Sequence, residues 1–373
     1  MKLNKIWHCA RPKLAQSYLA LLDAGPVVST SIFAPRRTGK TVFLRQDLTP
    51  AAQKAGYCVA YADLWQTRLS PGASLVRGLE EALEPKTFGQ KAIHTLTRPV
   101  KKLKAKGGIG EFQGELEVDL SDEKKESTEL ALRIDDLIAK LCARSPLLLL
   151  VDEAQELAKT KDNELVATAL RTAITKHRDH IRVVFTGSSR TQLAHVFSNT
   201  DSPLYSVGAA IQDFPLLGRE LVEFVAEKFE TAAQRKLDFA DAWHEFQAFK
   251  QQPEPFLNAV VALMLDPSTT LAKACQAERT DQDQAENHEG TWSSLDAVQK
   301  QLVKLLADDA TAKPFSKSVM TMIATQVGVA TLDTSTIQFA LRKLGEKTVL
   351  TKSPRGNYVF ESDAFERWVK TLG

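Results

Sequence analysis

Four residues of this chain could do chemistry together. Lys40 and Thr41 end the run Ala34-Pro35-Arg36-Arg37-Thr38-Gly39-Lys40-Thr41, and Asp152 and Glu153 end the run Leu147-Leu148-Leu149-Leu150-Val151-Asp152-Glu153. The first run has what a phosphate binder needs. Gly39 leaves no Cβ between the backbone and an oxygen-rich ligand. The amides of Thr38 to Thr41, at the start of a helix, point at phosphate oxygens, and the helix dipole favours the negative charge. Lys40 adds a point charge for the outer phosphates, and the Thr41 hydroxyl suits Mg²⁺. In the second run Asp152 can hold Mg²⁺, usually through water, and Glu153 can accept a proton from an attacking water or orient it.

These types and spacings make a nucleotide with Mg²⁺ the expected ligand. Pro35, Arg36, Arg37, Thr38, Gly39, Lys40, Thr41 and Val42 are the expected nucleotide contacts. Thr41 and Asp152 are the expected metal contacts, and Glu153 the expected base. The first run departs at one position from G-x-x-x-x-G-K-[ST], with Ala34 in the first glycine slot, which matters only if that position needs a positive φ. Taken alone, each run has a structural reading: a chance Gly-Lys-Thr in a loop, or acids gathered at a helix N-terminus. Each makes the chemical reading of the other stronger. Asp152-Glu153-Ala154-Gln155 also resembles a helicase box, but no convincing set of companion motifs accompanies it.

The elements that must position these groups follow from periodicity. Residues 11–23 read as a helix with Leu14, Tyr18, Leu19 and Leu22 on one face, closed by Gly25-Pro26. Val27 to Phe33 reads as a strand. The helix after the phosphate loop is expected to run to Leu48, with Pro50 opening the next segment. Residues 57–62 read as a buried strand, 71–83 as a helix, 127–142 as a helix, 147–152 as a strand, 164–177 as a helix and 181–186 as a strand. Alternating helices and continuously apolar strands predict a parallel sheet covered on both faces. Gly187-Ser188-Ser189-Arg190 then lies at the carboxyl end of a strand, where open α/β sheets bind ligands. Ser188 or Ser189 is a candidate contact for the γ-phosphate or the lytic water, against a loop-cap reading. Arg190 is a candidate for sensing phosphate charge, against a surface ion pair.

At 373 residues, 43% apolar and 25% charged, with net charge +2, the chain is long enough for two or three domains and gives no whole-protein argument for nucleic acid. Cys9, Cys58, Cys142 and Cys275 lack C-x-x-C spacing and read as reduced structural thiols. No apolar run approaches a membrane span and the N-terminus lacks a signal-peptide core, so a cytoplasmic protein without a membrane partner is expected.

The expected organisation is an N-terminal helix (1–26), an ATPase core (27–217), a helical lid (218–265), a linker or exposed helix (266–292) and a C-terminal domain (293–373). Within the core, residues 85–127 interrupt the rhythm. Seven positive charges and no acid fall between Pro85 and Gly110, and Ile109 to Leu120 alternates like a hairpin. That insertion reads either as a contact for nucleic acid or as a solvated face. The last region shows three helices, then Thr348–Leu350 and Tyr358–Phe360 about a turn, which is winged-helix order. Its 11 Lys/Arg against 8 Asp/Glu leave DNA binding and protein contact both open.

APRRTGKT, LLLLVDEAQ and VVFTGSSR, with a helical lid and a winged-helix pattern, resemble the AAA+/STAND-type P-loop ATPases of the archaeal-type ATPase family. Asp63-Leu64-Trp65, Gly187–Arg190 and Asp213–Arg219 resemble, more narrowly, a group of bacterial ATP-binding proteins. The resemblance implies a doubly wound parallel sheet with the phosphate-loop strand beside the sensor strand. It also implies MgATP as ligand and nucleotide-driven switching or assembly. Relatives often carry an arginine after a Pro-Leu-Tyr-Gly stretch, whereas here Pro203-Leu204-Tyr205 runs into Ser206-Val207, leaving Arg190 and Arg219 as candidates. One of them acting across a subunit interface is an open alternative. Three functions follow as expectations: an ATP-hydrolysing switch acting on the C-terminal domain, a nucleotide-gated DNA-binding regulator, and a protein-interaction switch that assembles with itself or a partner.

Overall fold

The strand Leu147–Asp152 serves two cores at once. Leu147, Leu149 and Val151 point into one hydrophobic cluster and Leu148 and Leu150 into another, the period-2 alternation of a strand covered on both faces. The computed structural model describes residues 7–24, 27–67, 70–84, 120–158, 161–207, 211–285, 287–352 and 356–372. In it β1 (Ser29–Phe33), β2 (Cys58–Asp63), β3 (Leu147–Asp152), β4 (Ile181–Gly187) and β5 (Gln212–Asp213) form one sheet in the order β2-β3-β4-β1-β5. Every pairing is parallel. The phosphate-loop strand β1 therefore lies beside β4, as the resemblance implied. The register sets Phe33 level with Gly187, and Asp63 level with Asp152. The carboxyl ends of four strands thus share one edge.

Two helical layers cover the sheet. On one face lie α1 (Pro12–Asp23) and the helix after the phosphate loop, α2, which comprises Lys40–Phe43, a π-helical turn at Leu44–Leu48, and Thr49–Lys54. On the other lie α3 (Pro71–Leu83), α4 (Leu120–Cys142), α5 (Lys161–Lys176) and α6 (Arg190–Phe197). Gly78 lets α3 lie against β2, since a Cβ there would come within 2.3 Å of the Tyr61 carbonyl oxygen. Cutting a buried leucine such as Leu149 to alanine costs roughly 2–5 kcal/mol.

Two boundaries differ from the sequence reading. Pro50 does not open a new segment, because α2 passes through it. The wide turn hands the Leu44 carbonyl to the Thr49 amide and, at 2.7 Å, to the Thr49 hydroxyl, and Pro50 enters in the first turn beyond, where its missing N–H costs nothing. Helix α4 starts at Leu120 rather than at residue 127. The basic run Lys86–Lys106, the alternating stretch up to residue 119 and Gly25-Pro26 lie outside the described residues.

Beyond the sheet, α7 (Arg219–Ala233), α8 (Phe239–Ala248) and α9 (Pro253–Leu265) pack around Val225, Phe246, Phe256 and Val260. The linker reading of 266–292 is corrected here. Residues Leu271–Ala285 form α10, whose Leu271, Ala274 and Cys275 complete that same core. Small apolar residues at helical spacing inside a polar composition hid this stripe. A short helix α11 (His288–Ser293) leads to α12 (Ala297–Asp308), α13 (Lys317–Val327), α14 (Thr334–Glu346), the antiparallel pair β6 (Leu350–Lys352) and β7 (Tyr358–Phe360), and α15 (Asp363–Lys370). These share a core of Leu302, Ile323, Ile337, Leu344 and Phe365. The four cysteines are free thiols, and burial pushes Cys142 up to about 11 and Cys275 up to about 12. Among the described residues no helix is long and apolar enough to cross a membrane.

Candidate active site

The phosphate loop leaves the sheet directly after β1, where the Ala34 amide donates to the Gly187 carbonyl at 3.2 Å. Ala34 is not among the residues with positive φ, so its slot does not require glycine. The left-handed positions are Arg37, at φ 64°, and Gly39, at φ 89°. A non-glycine residue there costs roughly 1–2 kcal/mol, strain of the kind that gathers at functional loops. Within the loop the Thr38 hydroxyl donates to the Pro35 carbonyl at 2.7 Å. Helix α2 begins at Lys40 and so turns its first amides toward the loop.

Lys40 is 6% exposed and has two partners. Its ammonium donates to the Ala34 carbonyl at 3.3 Å and stands 3.5 Å from Glu153 Oε1. Glu153 sits in the left-handed region at φ 56°. Its Oε2 accepts from the Ser188 hydroxyl at 2.7 Å and from the Gln155 side-chain amide, which also donates to Ser188 at 3.3 Å. Burial raises the pKa of Glu153. The charge of Lys40, the bonds from Ser188 and Gln155 and the charge of Arg36 outweigh that and hold it below the ordinary carboxylate value.

Asp152 is 1% exposed. It accepts from the Thr41 hydroxyl at 2.6 Å, the Tyr61 hydroxyl at 3.1 Å, the Thr186 hydroxyl and the Glu153 amide at 3.1 Å. These donors are all neutral. Burial and the nearby Asp152 charge push the Tyr61 phenol far up, so it stays protonated. A buried carboxylate beside a hydroxyl, with only neutral donors, suits a hard cation that takes its other oxygens from phosphate and water. Asp63, level with Asp152, has its pKa raised by burial and by the charges of Asp152 and Glu153, against the bond from the Trp65 amide.

These groups line a cavity of about 640 Å³. Arg36 to Val42, Asp63, Trp65, Asp152 and Glu153 form one wall, and Pro253, Glu254, Leu257 and Asn258 of α9 form the other. Arg37 reaches Glu254 across the mouth at 3.8 Å. Arg36 stacks over Trp65, 5.0 Å from the ring centre.

The structure brings together every expected nucleotide and metal contact from Arg36 to Val42 with Asp152 and Glu153; Pro35 contributes its carbonyl to the loop. Ser188 joins them through Glu153. Arg190 does not join them. It pairs with Asp213 and stacks over Phe33 at 4.7 Å, so it ties β5 to β1 and does not line this cavity. Arg219 stacks on Phe239 and Trp243 of α8. Sequence reasoning missed Tyr61 and Thr186 as partners of Asp152. A polar residue near the end of an otherwise apolar strand was the available signal for Thr186.

Residues 16–248 match the family model of an ATPase domain predominantly from Archaea. Among solved structures the chain is similar to a Walker-type ATPase of Pyrococcus abyssi, with TM-score 0.63 and 14% identity over 96% of this chain and 95% of that one. It is also similar to the ORC2 protein of Aeropyrum pernix, solved in ADPNP and ADP complexes, with TM-score 0.55 and 14% identity over 96% and 92% of the two chains. At these identities the likeness is one of fold. No curated protein matches the chain. With the family model covering most of the sequence, and the loop and the two carboxylates meeting at one cavity, the chain belongs to the archaeal-type ATPase family: it is a P-loop enzyme that binds and hydrolyses ATP.

Proposed function

We propose that this ATPase is a switch, in which the nucleotide state controls how a C-terminal winged-helix module, residues 293–373, is presented. One observation carries the reading. Helix α6 starts at the strand-end serines of the active site and carries Thr191, whose hydroxyl meets that of Thr351 on β6 at 3.1 Å. A change at Ser188 therefore has a direct mechanical route to the hairpin.

In this reading Lys40 and the loop amides bind the phosphates, Glu153 takes the proton of the attacking water, and Ser188 and Gln155 hold Glu153 in place. Thr41 and Asp152 would hold Mg²⁺. Bound there, the ion would neutralise charge on the phosphates. The lid helix α9 encloses the nucleotide from the other side.

The test is a sizing and scattering measurement of the full chain with ADP, with a non-hydrolysable ATP analogue, and with added duplex DNA. A switch changes shape between ADP and the analogue without DNA; identical profiles in all states reject it. A second reading, a nucleotide-gated DNA binder, is favoured by the outer face of α14, where Phe339 is 51% exposed and Arg342 stacks on it at 5.1 Å. Salt-dependent duplex binding that weakens in R342A/K343A supports it. Assembly with a second copy or another protein appears in the same experiment as a nucleotide-dependent change in size.

A further inference from the structure

A second cavity, of about 630 Å³, lies between the serine end of the sheet and the C-terminal helices, and shares Arg36, Arg37 and Trp65 with the nucleotide cavity. Glu361, the residue after β7, lines it. The Glu361 amide donates to the Val349 carbonyl at 3.1 Å, which fixes it to the hairpin. Ser189 of the core and Thr351 of the hairpin favour its charged form, while Oε1 is buried without a partner. The charged groups acting on it from the core are Arg36 and Glu153.

A carboxyl in this position is costly. Burial of an incompletely bonded acid is unfavourable, and the Glu153 charge adds to it. Burial first, then Glu153, raises Glu361 to about 7, against Ser189, Thr351 and Arg36. The hydrolytic chemistry has no use for it, and a hairpin needing only an anchor could use a neutral group. What distinguishes the place is charge. Arg36 is the cation that acts on both Glu153 and Glu361. In the proposed site a diphosphate would end near Lys40. A third phosphate would add negative charge on the side of Glu153 and Ser188, within the field of the same arginine.

We propose that Glu361 makes the docked C-terminal module selective for ADP over ATP, because the γ-phosphate competes with its carboxylate for Arg36 and expels the hairpin. The inference rests on the switch reading above and names the residue through which it acts. No bond is made or broken in this step.

The test measures affinities of the full chain for ADP and for a non-hydrolysable ATP analogue, in wild type, Glu361→Gln and Glu361→Asp, with hydrogen exchange of residues 349–361 in each state. Wild type is expected to prefer ADP by about tenfold or more, as for like charges in a partly buried site. Glu361→Gln, which keeps size and hydrogen-bonding atoms, is expected to lose most of that preference through tighter analogue binding, with ADP affinity unchanged. Glu361→Asp, which keeps the charge, is expected to retain it. Equal ratios in wild type and Glu361→Gln overturn the proposal, as does loss of the preference in Glu361→Asp at unchanged melting temperature. If the ratio responds to Glu361→Gln but hairpin exchange ignores the nucleotide, the selectivity stands and the switch reading fails. If the hairpin opens with the analogue equally in Glu361→Gln, the switch reading stands and this one falls.

Discussion

The Lys40 ammonium stands 3.5 Å from Glu153 Oε1, so the proposed phosphate-binding cation and the proposed base hold each other. Phosphates arriving at Lys40 compete with Glu153 for it and weaken the interaction that depresses the base. Substrate binding thus makes Glu153 more basic where the water must be deprotonated. Lys40→Ala is expected to weaken ATP binding by at least a hundredfold. Glu153→Gln is expected to bind ATP within a few-fold of wild type while turnover falls about 10²–10⁴-fold. Equilibrium binding with a fluorescent nucleotide, set beside phosphate release, reads both. Wild-type turnover in Glu153→Gln removes that residue from the chemistry.

In the proposed mechanism Ser188 and Gln155 act on the reaction through Glu153. Both bonds go to Oε2 and both lower its pKa. A base works only when deprotonated, so activity falls as pH drops through its pKa. Removing a bond that lowers the pKa must move that acid limb to higher pH. Ser188→Ala is expected to reduce turnover by about tenfold and to shift the limb upward, with little change in KM. A drop in rate without movement of the limb means that Ser188 touches the phosphate or the water instead.

Asp152 collects three hydroxyls in a buried site. Asp152→Asn is expected to raise the Mg²⁺ concentration needed for half-maximal turnover by tenfold or more, with metal-free nucleotide affinity nearly unchanged. Asp152→Ala is worse for a different reason: it strands buried hydroxyls at about 1–3 kcal/mol each, read as a fall in melting temperature. A magnesium titration of Asp152→Asn that overlays wild type ends the metal assignment.

The pairing of Arg190 with Asp213 makes the arginine a tie between β5 and the phosphate-loop strand. Arg190→Ala and Asp213→Ala are then expected to lower the melting temperature alike, and to change turnover less than fivefold at a temperature where both are folded. Abolished turnover in a fully folded Arg190→Ala returns it to the role of phosphate sensor.

The parts that were legible before the structure are those where one short run carries the whole signal. The apolar strand ending in Asp152-Glu153 is such a run, and so is the loop closing on Lys40-Thr41. Contacts set by register were not legible. Tyr61 and Thr186 reach Asp152 only because β2 and β4 flank β3, and strand order is not local information. Residues 271–285 read as linker or exposed helix because the buried stripe uses Ala274 and Cys275, small groups in a polar setting. Glu361 carries no signal in the sequence. Its distinction comes from Ser189 and Arg36, which the fold brings from distant parts of the chain.

That placement has a sign that can be tested without nucleotide. Glu361 is raised from the ordinary 4.5 to about 7 in the docked arrangement, by burial first. The docked state therefore binds the proton more tightly than an undocked state that exposes the carboxyl. By linkage, the contribution of Glu361 to docking is fully present below the ordinary value and is lost as pH rises through about 7. Arg36, Arg37, Glu156, Glu346, Lys347 and His288 face the same cavity, and the charge of Glu153 acts on Glu361 from the core, so the profile of Glu361→Gln is what isolates Glu361. Small-angle scattering of the nucleotide-free chain is expected to show the wild-type radius of gyration growing between pH 5.5 and 8, and that of Glu361→Gln staying flat or changing much less. Parallel profiles assign the pH response to another group.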